Sequence, residues 1–312
     1  MKNITRKQIE DVLPEIDLMP AIEDGFVAYS RGRAVVPPVG ELLLDDGDVH
    51  IKYGYIKGDE HYVIKIASGF YGNPALGLPS GNGLMLLHRQ KTGELVCVLF
   101  DEGHLTDVRT AVAGAITARY LAPENIARIG IVGTGTQARL QLRYLEGVTP
   151  CRDVLVWGRG DDQLERYRAD MSGAGYDVDT TRDAADIMKS CDLIVTTTPS
   201  TEPLLRAAAL RPGIHITAVG SDTPHKQELD AAILSRADVV VADSIEQCLV
   251  RGEIHKAIEA GAISRDGLVE LGNIIDGRAA GRTSRDQVTV ADLTGVAVQD
   301  IKIADAVYRA AG

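Results

Sequence analysis

The residues whose types and spacing most plainly imply chemistry are Gly133-Thr134-Gly135-Thr136-Gln137-Ala138, between an apolar run at 127–132 and a helical pattern at 137–145. In such a GxGxxA the first glycine permits a tight turn, the second lets backbone approach a pyrophosphate, and the small Ala138 lets helix and strand pack closely. Free N–H groups at the helix start then attract negative charge. The chemistry implied is dinucleotide binding. A plain glycine turn in an α/β sheet is the competing reading, and the strand, turn, helix context favours the nucleotide.

Cofactor choice is read at the end of the second strand, about 20 residues on, where a carboxylate holds the adenosine ribose 2′-hydroxyl of NAD. Here that strand ends Val156-Trp157-Gly158-Arg159, without a carboxylate. Arg159 suits a 2′-phosphate, so NADP(H) is favoured; Asp161 or Asp162 can still reach a ribose, which keeps NAD(H) open. Thr197 and Thr198, in Thr196-Thr197-Thr198-Pro199, end another strand and line the adenosine side. Asp222 follows the apolar run 214–219, at a strand end where ligands of open α/β sheets bind. Ser221-Asp222-Thr223-Pro224 equally suits a helix N-cap or an Asx-turn.

The elements that must position these residues repeat from about residue 126: short apolar runs at 127–132, 154–157, 193–197, 214–219 and 239–242, with helical patterns such as 137–145 and 163–171 between them. That alternation predicts parallel βαβ units, and the continuous apolar runs predict strands covered on both faces. The first 120 or so residues differ. Residues 49–55 and 62–67 alternate, turn signals crowd 69–83, and 83–87 and 95–100 are joined across Lys91-Thr92-Gly93-Glu94, a hairpin-like turn. This predicts a mixed sheet. Residues 107–120 form an alanine-rich helix leading into the second domain, and 295–311 a final helix returning to the first. The fold class is therefore α/β: a Rossmann-type doubly wound parallel sheet, 119–292, plus an N-terminal mixed α+β domain for substrate and dimerisation, 1–118 with 293–312.

Composition narrows the partners. With 33 basic and 44 acidic side chains the net charge is −11, which disfavours a phosphate backbone, so no nucleic acid is expected. No stretch approaches the roughly 18 apolar residues of a membrane span, so no membrane partner is expected. Cys97, Cys151, Cys191 and Cys248 form neither a CxxC pair nor a ladder, which predicts reduced thiols and no metal. The N-terminus leads into a charged amphipathic segment instead of an apolar signal, and a cytoplasmic location is expected.

Taken in order, Lys65-Ile66-Ala67-Ser68-Gly69-Phe70, Asp101-Glu102-Gly103-His104-Leu105-Thr106-Asp107-Val108-Arg109-Thr110-Ala111, Gly133 to Ala138, and Ala218-Val219-Gly220-Ser221-Asp222-Thr223-Pro224-His225-Lys226-Gln227-Glu228-Leu229-Asp230 are similar to the ornithine cyclodeaminase/mu-crystallin family. The resemblance covers essentially the whole chain. It implies a hydride moved between nicotinamide C4 and the α-carbon of an amino acid or its imine. It also implies that Lys65 and Arg109 take the substrate carboxylate; without it, Lys65 reads as an edge-strand lysine and Arg109 as a helix-face charge. Asp222 matches the catalytic acid of the cyclodeaminases, which mu-crystallin lacks. A carboxylate there can stabilise a protonated imine and exchange the amine proton.

Val219, Gly220 and Ser221 are implied at the nicotinamide, as are Thr294 and Gly295, read as opening the last helix. Thr223 is a further hydrogen-bonding candidate, whereas His104 and His225 are assigned to structure or solvent. The chain departs from the family where many members carry an arginine after a proline-valine pair: Pro37-Pro38-Val39 is followed by Gly40, which stands in the substrate site. The cyclodeaminase glutamate shortly afterwards is replaced around Ile51 and Lys52. Lys52 is expected to substitute for the lost arginine, giving a pocket of Lys52, Lys65 and Arg109 for a small anionic amino or imino acid.

The expected activity is an NAD(P)H-dependent reductase of an α-imino acid, reversible as an amino-acid dehydrogenase. Its candidate substrates are a cyclic ketimine such as pyrroline-2-carboxylate, iminosuccinate, or the imine of a small 2-oxo acid. Ornithine cyclodeamination is the alternative, and nucleotide or ligand binding without turnover, as in mu-crystallin, the second. A homodimer is expected, as is common in the family.

Overall fold

A computed structural model describes residues 1–70 and 72–312; Tyr71, within the turn-rich stretch 69–83, lies outside the described residues. The described chain divides into two compact units, residues 1–109 with 296–312 and residues 110–295. The divisions read from the sequence were 118/119 and 292/293.

The first unit is built on a mixed sheet of β1 (Lys2–Thr5), β2 (Ala34–Val35), β3 (Gly40–Leu44), β4 (Gly47–Ile56), β5 (His61–Gly69), β6 (Gly81–Arg89) and β7 (Leu95–Phe100). The order is β1-β7-β6-β5-β4-β2, with β3 also paired to β4. Only β1 with β7 is parallel. β1 is a strand the amphipathic reading of the N-terminus did not anticipate. It ends at Thr5, whose side chain accepts the Gln8 N–H while the Gln8 side chain accepts the Thr5 N–H, so a capping box starts the helix Arg6–Val12.

Alternation along β4 to β6 sorts the side chains into two faces. His50, Lys52, Ile56, Val63, Lys65, Met85 and Leu87 are buried on one face, against which the helix Ala297–Ala310 packs. On the other, Tyr53, Ile64, Leu86 and Val98 follow one another across the sheet. Tyr53 and Tyr55 are exposed there. The helix Leu18–Ser30, capped by Asp17, packs on Ala297–Ala310 and closes the buried side.

The second unit contains β8 (Ile129–Val132), β9 (Asp153–Trp157), β10 (Asp177–Thr181), β11 (Leu193–Thr196), β12 (His215–Ala218), β13 (Val239–Ala242), β14 (Leu268–Glu270) and β15 (Thr289–Asp292), in the order β10-β9-β8-β11-β12-β15-β13-β14. All neighbouring pairs are parallel, as the βαβ pattern predicts. Three strands were missed: β10 is polar (Asp177-Val178-Asp179-Thr180-Thr181), β14 is short, and β15 lay in a segment read only for its resemblance. The sheet core is aliphatic, with Ile194, Ile216, Ile233, Ile254 and Val290 fully enclosed. The alanine-rich helix runs His104–Leu121. Its small residues are needed: a Cβ on Gly114 would lie 1.9 Å from Gln141 Oε1.

Candidate active site

In the first unit, Lys52 on β4 stands directly opposite Lys65 on β5, so both ammonium stems leave the same face of the sheet. Lys65 is flanked on its other side by Met85 of β6 and is only 2% exposed. It is a central-strand lysine, which corrects the edge-strand reading.

Arg109 lies in the second turn of its helix, buried, and the turn before that helix sets its place. Asp101 Oδ2 accepts the Leu105 N–H at 2.9 Å, and Glu102 and Gly103 take left-handed backbone, with φ of +53° and +85°. Both cations converge on the first turn of the helix Ala297–Ala310. Arg109 Nε donates to Asp300 Oδ1 at 3.1 Å and Nη1 to Gln299 Oε1 at 3.1 Å, while Lys65 Nζ sits 3.5 Å from Asp300 Oδ2. The guanidinium is therefore anchored through both Nε and Nη1. Burial pushes the Lys65 ammonium down to about 8, against the pull of Asp300 and with a further push from Arg109.

Gly40 does not join this group. It pairs with Ile51, so a side chain there would leave the face opposite to Lys52 and Lys65. The sequence reading passed over Gln299 and Asp300. Two adjacent polar residues between Val298 and Ile301, in an otherwise apolar helical start, were the available signal.

In the second unit the nucleotide turn has the required geometry. Gly133 has φ +119°, and a Cβ on it would lie 2.6 Å from Thr197 Oγ1, so no other residue fits. Gly135 is the N-cap of Thr136–Tyr144 without a side-chain cap bond, and nothing lies within 4 Å of where its Cβ would be. Ala138 is buried and its carbonyl accepts the Tyr167 hydroxyl at 3.1 Å. Gln137 is part-buried on the same turn. Arg139 braces the loop through the Thr134 and Gly135 carbonyls and Asp170. A Cβ on Gly158 would press within 2.9 Å of Thr134 Cγ2. Beyond it Arg159 is exposed, while Asp161 is paired with Arg182 at 2.7 Å. An open cradle ending in uncapped helix N–H groups fits a dinucleotide pyrophosphate.

Adjacent strand ends bring the remaining candidates to the carboxyl edge of one sheet. Thr197 follows β11 and donates to the Val132 carbonyl, through its N–H at 2.9 Å and its hydroxyl at 3.1 Å. Val219 and Gly220 follow β12 and donate to the Thr196 carbonyl at 3.0 and 3.2 Å. Ser221 Oγ donates to the Lys226 carbonyl at 2.8 Å, and Lys226 Nζ reaches Asp222 Oδ1 at 2.7 Å, which folds 221–226 onto itself. Asp222 is partly exposed and caps no helix; the next one, Ala231–Arg236, is capped by Asp230. The N-cap reading of Asp222 is thus corrected. Thr223 is nearly buried, His225 is exposed, and His104 is part-buried in its helix.

Thr294 and Gly295 follow β15 and do not open the last helix, which begins at Ala297 after Val296 as N-cap. They are held by Asp243, at 3.0 Å to the Thr294 hydroxyl and 2.6 Å to the Gly295 N–H.

The sequence reading assigned no role to Glu228, Glu253, Asp243 or Asp292, all buried beneath these loops. Burial raises Glu228 to about 7 against three hydrogen-bond donors. Burial, and then the Glu228 charge, raises Glu253 to about 8. Asp292 is likewise raised by burial and by Glu253. Among the described residues no group of three or more His, Cys, Asp or Glu is arranged to hold a metal, and no helix is long and apolar enough to cross a membrane. The four cysteines are free thiols, three of them buried.

The profile of the Ornithine cyclodeaminase/mu-crystallin family matches residues 3–312. An uncharacterised cyclodeaminase of Sinorhizobium fredii is 43% identical over 100% of this chain and 96% of its own length. Among solved structures, an archaeal alanine dehydrogenase dimer with bound NAD is 33% identical with a TM-score of 0.92, over 99% of this chain and 95% of that one. The iminosuccinate reductase of Paracoccus denitrificans in complex with NAD+ is 30% identical with a TM-score of 0.89, over 100% and 96%. Whole-length agreement in sequence and in fold, together with the cradle and the buried lysine and arginine described above, means that this chain belongs to the ornithine cyclodeaminase/mu-crystallin family.

Proposed function

We propose that this protein is a nicotinamide-dependent reductase of a small anionic α-imino acid, reversible as an amino-acid dehydrogenase. The observation that carries the reading is the buried pair Lys65 and Arg109, which share Asp300 and stand close together on the substrate-domain sheet and helix. A guanidinium beside an ammonium suits a carboxylate: the arginine offers directed N–H donors and the lysine a point charge. Lys52, on the same face, adds a third cation, which favours a substrate with two carboxylates such as iminosuccinate. It disfavours the cationic side chain of ornithine.

Gly133 to Ala138 would hold the pyrophosphate, and Gly158 with Arg159 would meet the adenosine ribose. Thr197 and Thr198 would line the adenosine side, and Val219 to Ser221, Thr294 and Gly295 would border the nicotinamide half. When bound, the nicotinamide supplies a hydride to the imine carbon. Lys65 and Arg109 fix the carboxylate and so orient that carbon. Asp222, kept in place by Lys226, favours the protonated imine nitrogen, whose positive charge is neutralised as the C=N bond becomes C–N. NADP(H) is favoured over NAD(H), since Arg159 is exposed and Asp161 is engaged by Arg182. Such a reaction belongs where reduced nicotinamide nucleotide is supplied, in the cytoplasm.

A second copy of the chain is the proposed partner. The sheet face bearing Tyr53, Ile64 and Leu86, with the edge residues Leu42 and Leu44 more than half exposed, is a large apolar surface. The archaeal alanine dehydrogenase is itself described as a dimer. Tyr53→Glu with Leu86→Glu is expected to convert a dimer to a monomer in sedimentation; wild type sedimenting as a monomer would remove the proposal.

The activity is tested by following NADPH and NADH oxidation with pyrroline-2-carboxylate, and with oxaloacetate, pyruvate or glyoxylate plus ammonia, beside an ornithine-to-proline control. Stoichiometric oxidation with one imine, lost in Asp222→Ala, is expected. Proline formed from ornithine without net cofactor change would make the protein a cyclodeaminase. Silence throughout would favour a ligand-binding protein.

A further inference from the structure

One buried carboxylate joins the ends of two strands. Glu228 is fully enclosed; its Oε2 accepts the Thr196 hydroxyl at 2.7 Å and the Gly220 N–H at 2.9 Å, and its Oε1 accepts the Thr198 N–H at 2.6 Å. Thr196 ends β11, and Thr198 and Gly220 lie just past the ends of β11 and β12. The two segments touch at that point: a Cβ on Gly220 would lie 2.2 Å from the Thr198 carbonyl oxygen and 2.6 Å from Glu228 Oε2. Glu228 is itself held, since Glu253 Oε1 accepts its N–H at 2.6 Å and Oε2 that of Leu229 at 3.1 Å. Thr197 and Thr198, read as lining the adenosine side, and Gly220 and Ser221, read as bordering the nicotinamide, are thus spaced by a side chain that lies beneath them.

We propose that Glu228 is a positioning residue of the cofactor site, its carboxylate fixing the separation of the β11 and β12 ends by accepting from both at once, with Glu253 fixing Glu228 in turn. This rests on the nicotinamide-dependent reading of the site. The donor geometry explains why a carboxylate stands there. An amide at 228 would turn its NH2 group either toward the Thr198 N–H or toward the Gly220 N–H, leaving one backbone donor facing another. A carboxyl group, by contrast, accepts both backbone N–H groups, and when ionised it accepts the Thr196 hydroxyl as well; burying it is the cost of that arrangement.

The test is a fluorescence titration of NADH and of NADPH into wild type, Glu228→Gln, Thr196→Val and Thr196→Ser, each first examined for a cooperative thermal transition. Glu228→Gln and Thr196→Val are expected to weaken nucleotide binding about 10-fold or more, the order expected when a buried charged acceptor loses a donor. Thr196→Ser, which retains the hydroxyl, is expected to stay within about 2-fold of wild type. The KM for the imino acid at saturating cofactor is expected to stay near the wild-type value. If Glu228→Gln does not fold, the contrast between Thr196→Val and Thr196→Ser decides. Folded variants that bind nucleotide as wild type does would overturn the role of Glu228 and leave the function reading standing. Wild type that binds neither nucleotide would overturn both.

Discussion

A buried lysine is a pH-dependent ligand. With its ammonium lowered to about 8 by burial, Lys65 is charged at neutral pH and loses its proton as pH rises through that value. Capture of an anionic substrate is therefore expected to weaken above about pH 8, seen as a rising KM. Lys65→Arg, whose guanidinium stays charged, is expected to have a higher KM at pH 7 from its altered shape but a flat profile to pH 9. Asp300 pulls Lys65 upward, so Asp300→Asn moves the rise in KM to lower pH. It also removes the acceptor shared by two buried cations, at a cost of about 3 kcal/mol in denaturant unfolding. A KM that ignores pH between 7 and 9 in wild type would remove Lys65 from the carboxylate site.

At the scale of elements, polar side chains tie the strand ends to one another and to the long helix. Arg282 is the clearest tie. Its Nε donates to the Leu121 carbonyl at 2.6 Å, Nη1 to that of Gln287 at 2.6 Å, and Nη2 to the Ile214 carbonyl and the Thr289 hydroxyl, both at 3.0 Å. One guanidinium thereby joins the end of the long helix, the entry to β12 and the start of β15. His215 beside it is neutral, lowered to about 3 by burial and then by the Arg282 charge, and bridges Thr289 and Thr217. Lysine can reach at most part of this set, so Arg282→Lys is expected to lower stability by about 2–4 kcal/mol through orphaned buried carbonyls, measured by urea unfolding. A loss below about 0.5 kcal/mol would mean that the carbonyls find other donors.

For the whole molecule, the buried acids set how stability follows pH. A carboxyl whose folded pKa is raised holds its proton where the unfolded chain has lost it. The stability it contributes is complete below the unfolded value and declines as pH rises through the folded one. For Glu253, raised to about 8 from an ordinary 4.5, that window runs from about pH 4.5 to 8. Glu253→Gln has no such dependence. Whatever fixed cost the amide carries, the variant is expected to gain on wild type by about 1 kcal/mol or more between pH 5 and pH 8 in parallel urea titrations. Parallel stability curves for the two proteins would show that Glu253 keeps an ordinary carboxylate pKa.

The sequence by itself determined the local pieces whose chemistry is written in short spans. Gly133 to Ala138 reads as a nucleotide turn from its spacing of small residues between an apolar run and a helical pattern, and it does lie between β8 and the helix Thr136–Tyr144. The apolar runs announced five parallel strands, and the family motifs pointed to Lys65, Arg109 and Asp222. Only the tertiary structure decided which of these residues meet. Lys52 faces Lys65 through strand register, and Gly40 is turned to the opposite face by that same register, which the sequence alone does not specify. Asp300 and Gln299 reach Arg109 from 190 residues or more away, and Glu228 joins two loops whose strands are neighbours only in the folded sheet. β10 was missed because it is a polar edge strand with only Val178 buried, and the buried acids because distant backbone donors satisfy them, so their burial leaves no local pattern to read.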